Sequence, residues 1–292
     1  MPKNTDTPIT DVMDTATWVA SYRVDESQRP DALFHDPLAS KLVGEAGAQI
    51  SAKMANSEWV RWTVVIRTVI IDQYISELIA EGVDTVLNLG AGLDTRPYRM
   101  GLPANLKWIE VDYAKTIETK EKKLSAEVPK CQLQRHSLDL SDQGERFKFF
   151  SKINSESRKV LVLTEGVIPY LSEEDVAGLA QDLRAQKNFQ YWITEYISPH
   201  VYRHFKHRKL MRQMRNAPFK FLPKDWYGHF AKEGWAPVTT RYVAEESEKL
   251  GRPIPLPAFA TFIFRLVRKL KFATRLNRFS GFILFSPSQS RH

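Results

Sequence analysis

Cysteine is nearly absent from this chain: Cys131 stands alone among 292 residues. That excludes an intramolecular disulfide and a thiolate metal cluster, and it suits a reducing compartment. Long apolar runs are also missing. No stretch of about eighteen apolar residues occurs, so no membrane-spanning helix is expected. The opening MPKNTDTPITDVMDTA lacks the apolar core of a secretory leader. There is no internal repeat and no low-complexity linker. The expectation is a soluble, cytoplasmic protein.

What is present is ordinary for a globular chain: 43% hydrophobic and 26% charged residues, with sixteen Phe and seven Trp, too many aromatics for a disordered polypeptide. The length suffices for one large α/β domain or two small ones. A net charge of +8 makes an anionic partner worth considering, whether nucleic acid, a membrane surface or an acidic metabolite.

Two grammars divide the sequence. Residues 1–82 read as helical. A helix and polar loop run from Asp11 to FHDP, with a restart at Leu38. A second helix covers Ser57 to Ala80, where Trp59, Trp62, Ile66, Ile70, Ile75 and Leu78 recur at three- and four-residue steps. Ser57 can cap its start and Gly82 its end. From residue 83 onward, short apolar strands alternate with polar helical stretches. The strands are expected at 85–90, 107–112, 131–139, 159–166, 189–197, 235–243 and 281–287, with a helical insertion at about 244–278 before the last. SEEDVAGLAQDLRAQ (172–186) opens as a helix with a capping-box start at Ser172 and Asp175. Such alternation predicts an α/β fold, a doubly wound, mostly parallel sheet with an N-terminal helical cap, in a single domain of residues 1–292.

VLNLGAGLDTR (86–96) is the most informative stretch: a strand breaks into closely spaced glycines, where backbone can approach a ligand. About twenty residues on, the next strand ends in Glu110-Val111-Asp112, placing a carboxylate where ribose hydroxyls are bound. Both NAD and S-adenosylmethionine need such an acid. The third glycine of a dinucleotide fingerprint is missing; Thr95 stands there between Asp94 and Arg96. A carboxylate at that helix entrance repels pyrophosphate and tolerates a sulfonium or ammonium ligand.

LNLGAGLDTRPYRM (87–100) resembles the first motif of the leucine carboxyl methyltransferase family. TATWVASYRVDESQRPDALFHDPLA (15–39) is similar to the N-terminal signature of its bacterial branch. RTVIID (67–72), HSLDL (136–140) and TEGVIPYLSEEDV (164–176) match later blocks in order. The resemblance implies a class I S-adenosylmethionine-dependent O-methyltransferase, with a Rossmann-like seven-stranded sheet and a last antiparallel strand pair. It implies that Arg67 pairs with the cofactor's methionine carboxylate. Gly90, Ala91 and Gly92 would admit its methionine and ribose, Asp112 the ribose hydroxyls, and Asp139 and Leu140 the adenine. Glu165 would line the methionine end or the methyl-transfer site.

Each role has a plainer alternative. Arg67 needs an anion within an apolar helix, and Asp72 or Glu110 could supply it. Asp112 and Asp139 could cap helices, and Glu165 could be an ordinary strand-end carboxylate. If the acceptor is a hydroxyl, His35, His136 or Glu165 could act as its base. Trp18, Tyr22, Arg23 and Tyr170 could line the acceptor pocket, so Glu165, Tyr170 and Arg23 are the residues expected at the reacting end. Family members that methylate a protein phosphatase carry a lysine in the first helix. This chain has none between Asp11 and Arg23, and an arginine replaces its charge but not its geometry. A small-molecule, polyketide-like acceptor with a carboxylate or hydroxyl is therefore expected over a protein carboxylate. YRHFKHRKLMRQMR (202–215) contains no acidic residue, and AFATFIFRLVRKLKF (258–272) is helix-periodic with a basic flank. These segments could pack on the sheet, cover the acceptor, touch an anionic membrane surface weakly, or meet a phosphate-rich partner such as RNA. The alternative to an enzyme is then a basic binding protein that keeps the fold without turnover. No nucleic-acid motif accompanies either stretch, so no nucleic-acid partner is expected.

Overall fold

The computed structural model describes residues 12–44, 47, 57–198, 218–255 and 277–288. Both basic stretches, 202–215 and 258–272, therefore lie outside the described residues.

Two helices precede the sheet, α1 (Val12–Ser27) and α2 (Ser57–Ala80). The apolar positions expected on α2 all meet one core. Trp62, Ile66, Ile70, Ile75 and Leu78 are buried there, and Trp59 packs at its edge. The helix ends where Gly82, at φ +93°, donates to Ile79 O while Val83 donates to Leu78 O. Only a residue at ease with positive φ closes a helix this way.

Seven strands follow: β1 (Thr85–Leu89), β2 (Lys107–Asp112), β3 (Gln132–Ser137), β4 (Val160–Thr164), β5 (Phe189–Ile197), β6 (Trp235–Tyr242) and β7 (Ser280–Pro287). They form one sheet in the order β3-β2-β1-β4-β5-β7-β6. The pairs β1–β2, β1–β4, β2–β3 and β4–β5 are parallel. The last strand does not simply pair with its predecessor at an edge. It inserts between β5 and β6 and runs antiparallel to both.

The strands β1 and β4 are buried along their whole length, because helices cover both faces. Their two-residue alternation divides the core. Val86 and Leu161 join the α2 side, while Leu87, Leu89 and Val162 join a second cluster with Phe150, Val176 and Leu179. The helices of that second face are α5 (Gln143–Glu156) and α6 (Glu173–Arg184); the latter begins with the expected capping box of Ser172 and Asp175. Between β1 and β2 lies only the four-residue helix α3 (Arg96–Arg99), and α4 (Ala114–Lys123) follows β2. Two short helices, α7 (Trp226–Lys232) and α8 (Val243–Lys249), flank β6. The helix α8 is the described start of the insertion expected at 244–278.

Since β2 and β4 lie on opposite sides of β1, chain direction through the sheet reverses there. A crevice opens at the carboxyl ends of the strands at such a point.

Candidate active site

The crevice is a cavity of about 550 Å³, within the range of roughly 300–1,000 Å³ that encloses metabolites. All ten residues expected at the site line it: Arg23, Arg67, Gly90, Ala91, Gly92, Asp112, Asp139, Leu140, Glu165 and Tyr170. Trp18 lines it as well. Tyr22 does not; it is fully buried, and its hydroxyl accepts from Trp18 Nε1 at 2.7 Å.

At one end the glycine turn is clamped to β2. Gly90 N and Ala91 N both donate to Val111 O, at 2.8 and 3.0 Å, and Gly92 N donates to Asp112 Oδ2 at 2.7 Å. Gly90 and Gly92 sit at φ +68° and +47°. Asp112 Oδ1 also accepts from Tyr113 N at 2.8 Å. Asp112 therefore is not the cap of α4, whose capping position is Tyr113. A carboxylate has about four lone-pair sites, so two protein donors leave capacity for more. Asp139 is likewise not a helix cap, since Asp142 holds that position before α5. Its Oδ1 accepts from Ser141 N and Oγ at 2.9 and 2.8 Å.

Deeper in, arginines and carboxylates interlock. Arg67, on α2, brings Nε within 2.9 Å of Glu165 Oε1. Neither Asp72 nor Glu110 serves as its anion. Asp72 pairs with Arg96 and Arg99, and Glu110 is buried with Lys120 and Arg135. Those assignments are set by which strands and helices become neighbours, information that lies outside the local pattern around residue 67. Arg96, 3% exposed, reaches three carboxylates: Asp72 Oδ1 at 2.7 Å, Asp94 Oδ2 at 2.9 Å and Glu165 Oε2 at 2.8 Å. Burial pushes the Glu165 carboxyl up, but Arg96 and Arg67 outweigh it and hold the group below the ordinary carboxylate range. Asp94 is treated likewise by Arg96, and Asn88 also donates to it. Glu165 is therefore a weak base. Asp94, the carboxylate expected at a helix entrance, is neutralised by Arg96.

Part of the lining is apolar. Met13, Ala16 and Val19 from α1, Val60 and Val64 from α2, and Phe219 form it. Tyr170 packs edge-on against Phe219 with centroids 5.2 Å apart, and burial pushes its phenol up to about 12. It stays protonated at neutral pH and can donate a hydrogen bond. Arg23 is not a free cation here. Its Nε donates to Asp36 Oδ2 at 2.8 Å and its Nη2 to Leu93 O at 2.6 Å, which ties α1 to the glycine turn. Two expected bases fall away by position. His35 is exposed beside Ser27 O, and His136 packs edge-on against Phe149; neither lines the cavity.

Sequence reasoning missed Arg96 as a member of the site, although DTR was in view as an argument against pyrophosphate. Glu195, likewise not singled out from sequence, does not line the cavity but touches the turn beside it. Glu195 lies within β5, one residue past the partner of Thr164, and its Oε1 accepts from Gly166 N in the turn after β4.

A parallel sheet reversing at β1, a terminal strand inserted antiparallel, a glycine turn and an acid ending β2 together define a class I methyltransferase. A model of the leucine carboxyl methyltransferase family matches residues 16–184. A Streptomyces coelicolor protein, provisionally named as an S-adenosyl-L-methionine-dependent methyltransferase, is 32% identical over 255 residues, covering 82% of this chain and 88% of its own. One from Frankia alni with the same provisional name is 27% identical over 271 residues, covering 85% and 92%. In fold, the chain is similar to a DUF574 family protein from Streptomyces avermitilis, with a TM-score of 0.56 at 15% identity, covering 93% and 97% of the two chains. A Thermobifida fusca structure gives the same TM-score at 13% identity, covering 96% and 98%. The chain belongs to the leucine carboxyl methyltransferase family, and its methyl donor is S-adenosylmethionine.

Proposed function

We propose that this enzyme transfers a methyl group to a carboxylate or hydroxyl oxygen of a small, largely apolar acceptor. The observation that carries the reading is the mixed polar and apolar lining of the cavity. Its lining joins polar groups, the glycine turn, Asp112 and Arg67, with apolar side chains from α1, α2 and Phe219.

The polar part suits S-adenosylmethionine by its own chemistry. Buried Arg67 Nε lies near Glu165 but outside hydrogen-bonding direction, so this donor has charge pairing alone. A half-buried guanidinium in that state is suited to a further carboxylate. In this reading Arg67 holds the methionine carboxylate, and Gly90, Ala91 and Gly92 let backbone approach. Asp112 accepts from the ribose diol, and Asp139 and Leu140 border the adenine. When bound, the cofactor supplies a methyl group on a cationic sulfur.

The residues around the acceptor then have mainly to position it and exclude water. Tyr170 supplies a donor at that end, while Arg23, committed to Asp36 and Leu93, holds the wall in place. A carboxylate acceptor is already ionised at neutral pH. The low proton affinity of Glu165 makes it a poor base for a hydroxyl, so a hydroxyl acceptor would have to be acidic. The absence of a lysine from α1 supports a small molecule over a protein C-terminus.

The test is calorimetric titration with S-adenosylmethionine, S-adenosylhomocysteine and NAD, on the wild type, Arg67→Ala and Asp112→Ala. Methyl transfer is then followed to paired aromatic acids and phenols and to a leucine-terminated peptide. Micromolar binding of the two adenosyl ligands, weakened in both variants, with transfer to a small acceptor, is expected. Binding of NAD alone, or transfer to the peptide alone, would refute the proposal.

A further inference from the structure

Arg96 does work that the proposed roles leave unassigned. It stands on α3, in the turn after β1, and it is almost fully buried. Its guanidinium gathers carboxylates from three separate elements: Asp72 of α2, Asp94 of the glycine turn, and Glu165 after β4. Glu165 is split between two arginines, with Oε2 toward Arg96 Nη1 at 2.8 Å and Oε1 toward Arg67 Nε at 2.9 Å. The first contact has hydrogen-bond geometry and the second does not.

A carboxylate beside a lone guanidinium draws it into a bidentate, fork-to-fork pair. Here Arg96 donates to Oε2 of Glu165, and Arg67 makes no such fork: its Nε has charge pairing with Oε1 alone. We propose that Arg96 is a positioning residue. By engaging Glu165, it keeps Arg67 from collapsing onto that carboxylate and holds the Arg67 guanidinium available to the carboxylate of the cofactor. This rests on the reading of Arg67 given above. Arg99 cannot substitute, since both of its Nη groups are committed to Asp72, at 2.6 and 2.9 Å.

The consequence is selective. Loss of Arg96 weakens ligands that carry the methionine carboxylate and leaves the adenosine end untouched. Two probes separate these cases: S-adenosylhomocysteine, which has the carboxylate, and 5′-methylthioadenosine, which lacks it. The measurement is the ratio of their dissociation constants in the wild type, Arg67→Ala, Arg96→Met, Arg96→Lys and the double variant Arg96→Met/Glu165→Gln.

The wild type is expected to prefer S-adenosylhomocysteine by about tenfold or more, the scale of a hydrogen-bonded charge pair. Arg67→Ala and Arg96→Met are both expected to lose most of that preference while still binding 5′-methylthioadenosine, which also shows that they fold. Arg96→Lys keeps charge but not the fork, and is expected to fall between. Neutralising Glu165 in the double variant frees Arg67, so the preference is expected to return.

If the preference is absent in the wild type or survives Arg67→Ala, the assignment of Arg67 fails and this inference falls with it. If it depends on Arg67 but survives both Arg96 substitutions, the inference alone is overturned. The same holds if Arg96→Met weakens both ligands equally, or if Arg96→Met does not fold and Arg96→Lys keeps the full preference.

Discussion

Replacing Gly90 with alanine tests the central geometric claim, that backbone rather than side chain must occupy the mouth of β1. Gly90 sits at φ +68°, where an L-residue costs about 1–2 kcal/mol. Its new Cβ would also meet Val167 Cγ2 at 2.3 Å, well inside contact distance. The turn cannot slide away easily, since Gly90 N and Ala91 N are both held by Val111 O. Overpacking of this kind adds about 1–3 kcal/mol. The total is roughly 2–5 kcal/mol, a fall of roughly 4–10 °C in melting temperature at about 2 °C per kcal/mol for a chain of this size. The assay is thermal and urea unfolding of wild type, Gly90→Ala, Val167→Ala and the double variant. The Val167 truncation removes the steric part only, so the cycle should show a favourable coupling of about 1–3 kcal/mol with a residual strain of about 1–2 kcal/mol. A Gly90→Ala protein that unfolds like the wild type would refute the reasoning, and a coupling near zero would refute its steric half.

Three further outcomes follow from buried groups. Burial lifts the Glu195 carboxyl to about 7, above its unfolded value of about 4.3. The folded chain then holds a proton there that the unfolded chain has released, so stability from this group falls as pH rises between about 4.3 and 7, by about 4 kcal/mol. Glu195→Gln should therefore gain on the wild type from pH 4.5 to pH 8 in urea unfolding, and a pH-independent difference would contradict this. Lys120 and Glu110 are fully buried 2.8 Å apart. Lys120→Met should cost about 3–5 kcal/mol, toward the lower end because Arg135 still pairs with Glu110, read from the urea midpoint. Cys131 is buried and its thiol is pushed up to about 11. It should resist a thiol reagent at pH 8 in the native protein and react freely once unfolded.

Local patterns carried the reading of the fold a long way. The three- and four-residue spacing of α2 named the residues that enter the core, because a helix facing one sheet must bury one stripe. The strand runs were placed to within a few residues, since buried parallel strands read as continuous apolar segments. The placement of β7 between β5 and β6 was not legible, because strand order is decided by pairing across the sheet rather than by any feature of GFILFSP itself.

At the site, the sequence by itself determined which residues would meet. The glycine turn, the acid ending β2 and the segments after β3 and β4 all lie at the carboxyl ends of strands in a doubly wound sheet, and that topology brings them to one crevice. Only the tertiary structure decided how the charges pair. Arg67 faces Glu165, Arg96 joins three elements, Arg23 is spent on Asp36 and Leu93 O, and His35 and His136 lie away from the cavity. The reason is physical. Burial requires every charge to find an opposite partner, but which partner is nearest depends on the packing of α2 and α3 against the ends of β1 and β4, and that is not encoded in local spacing.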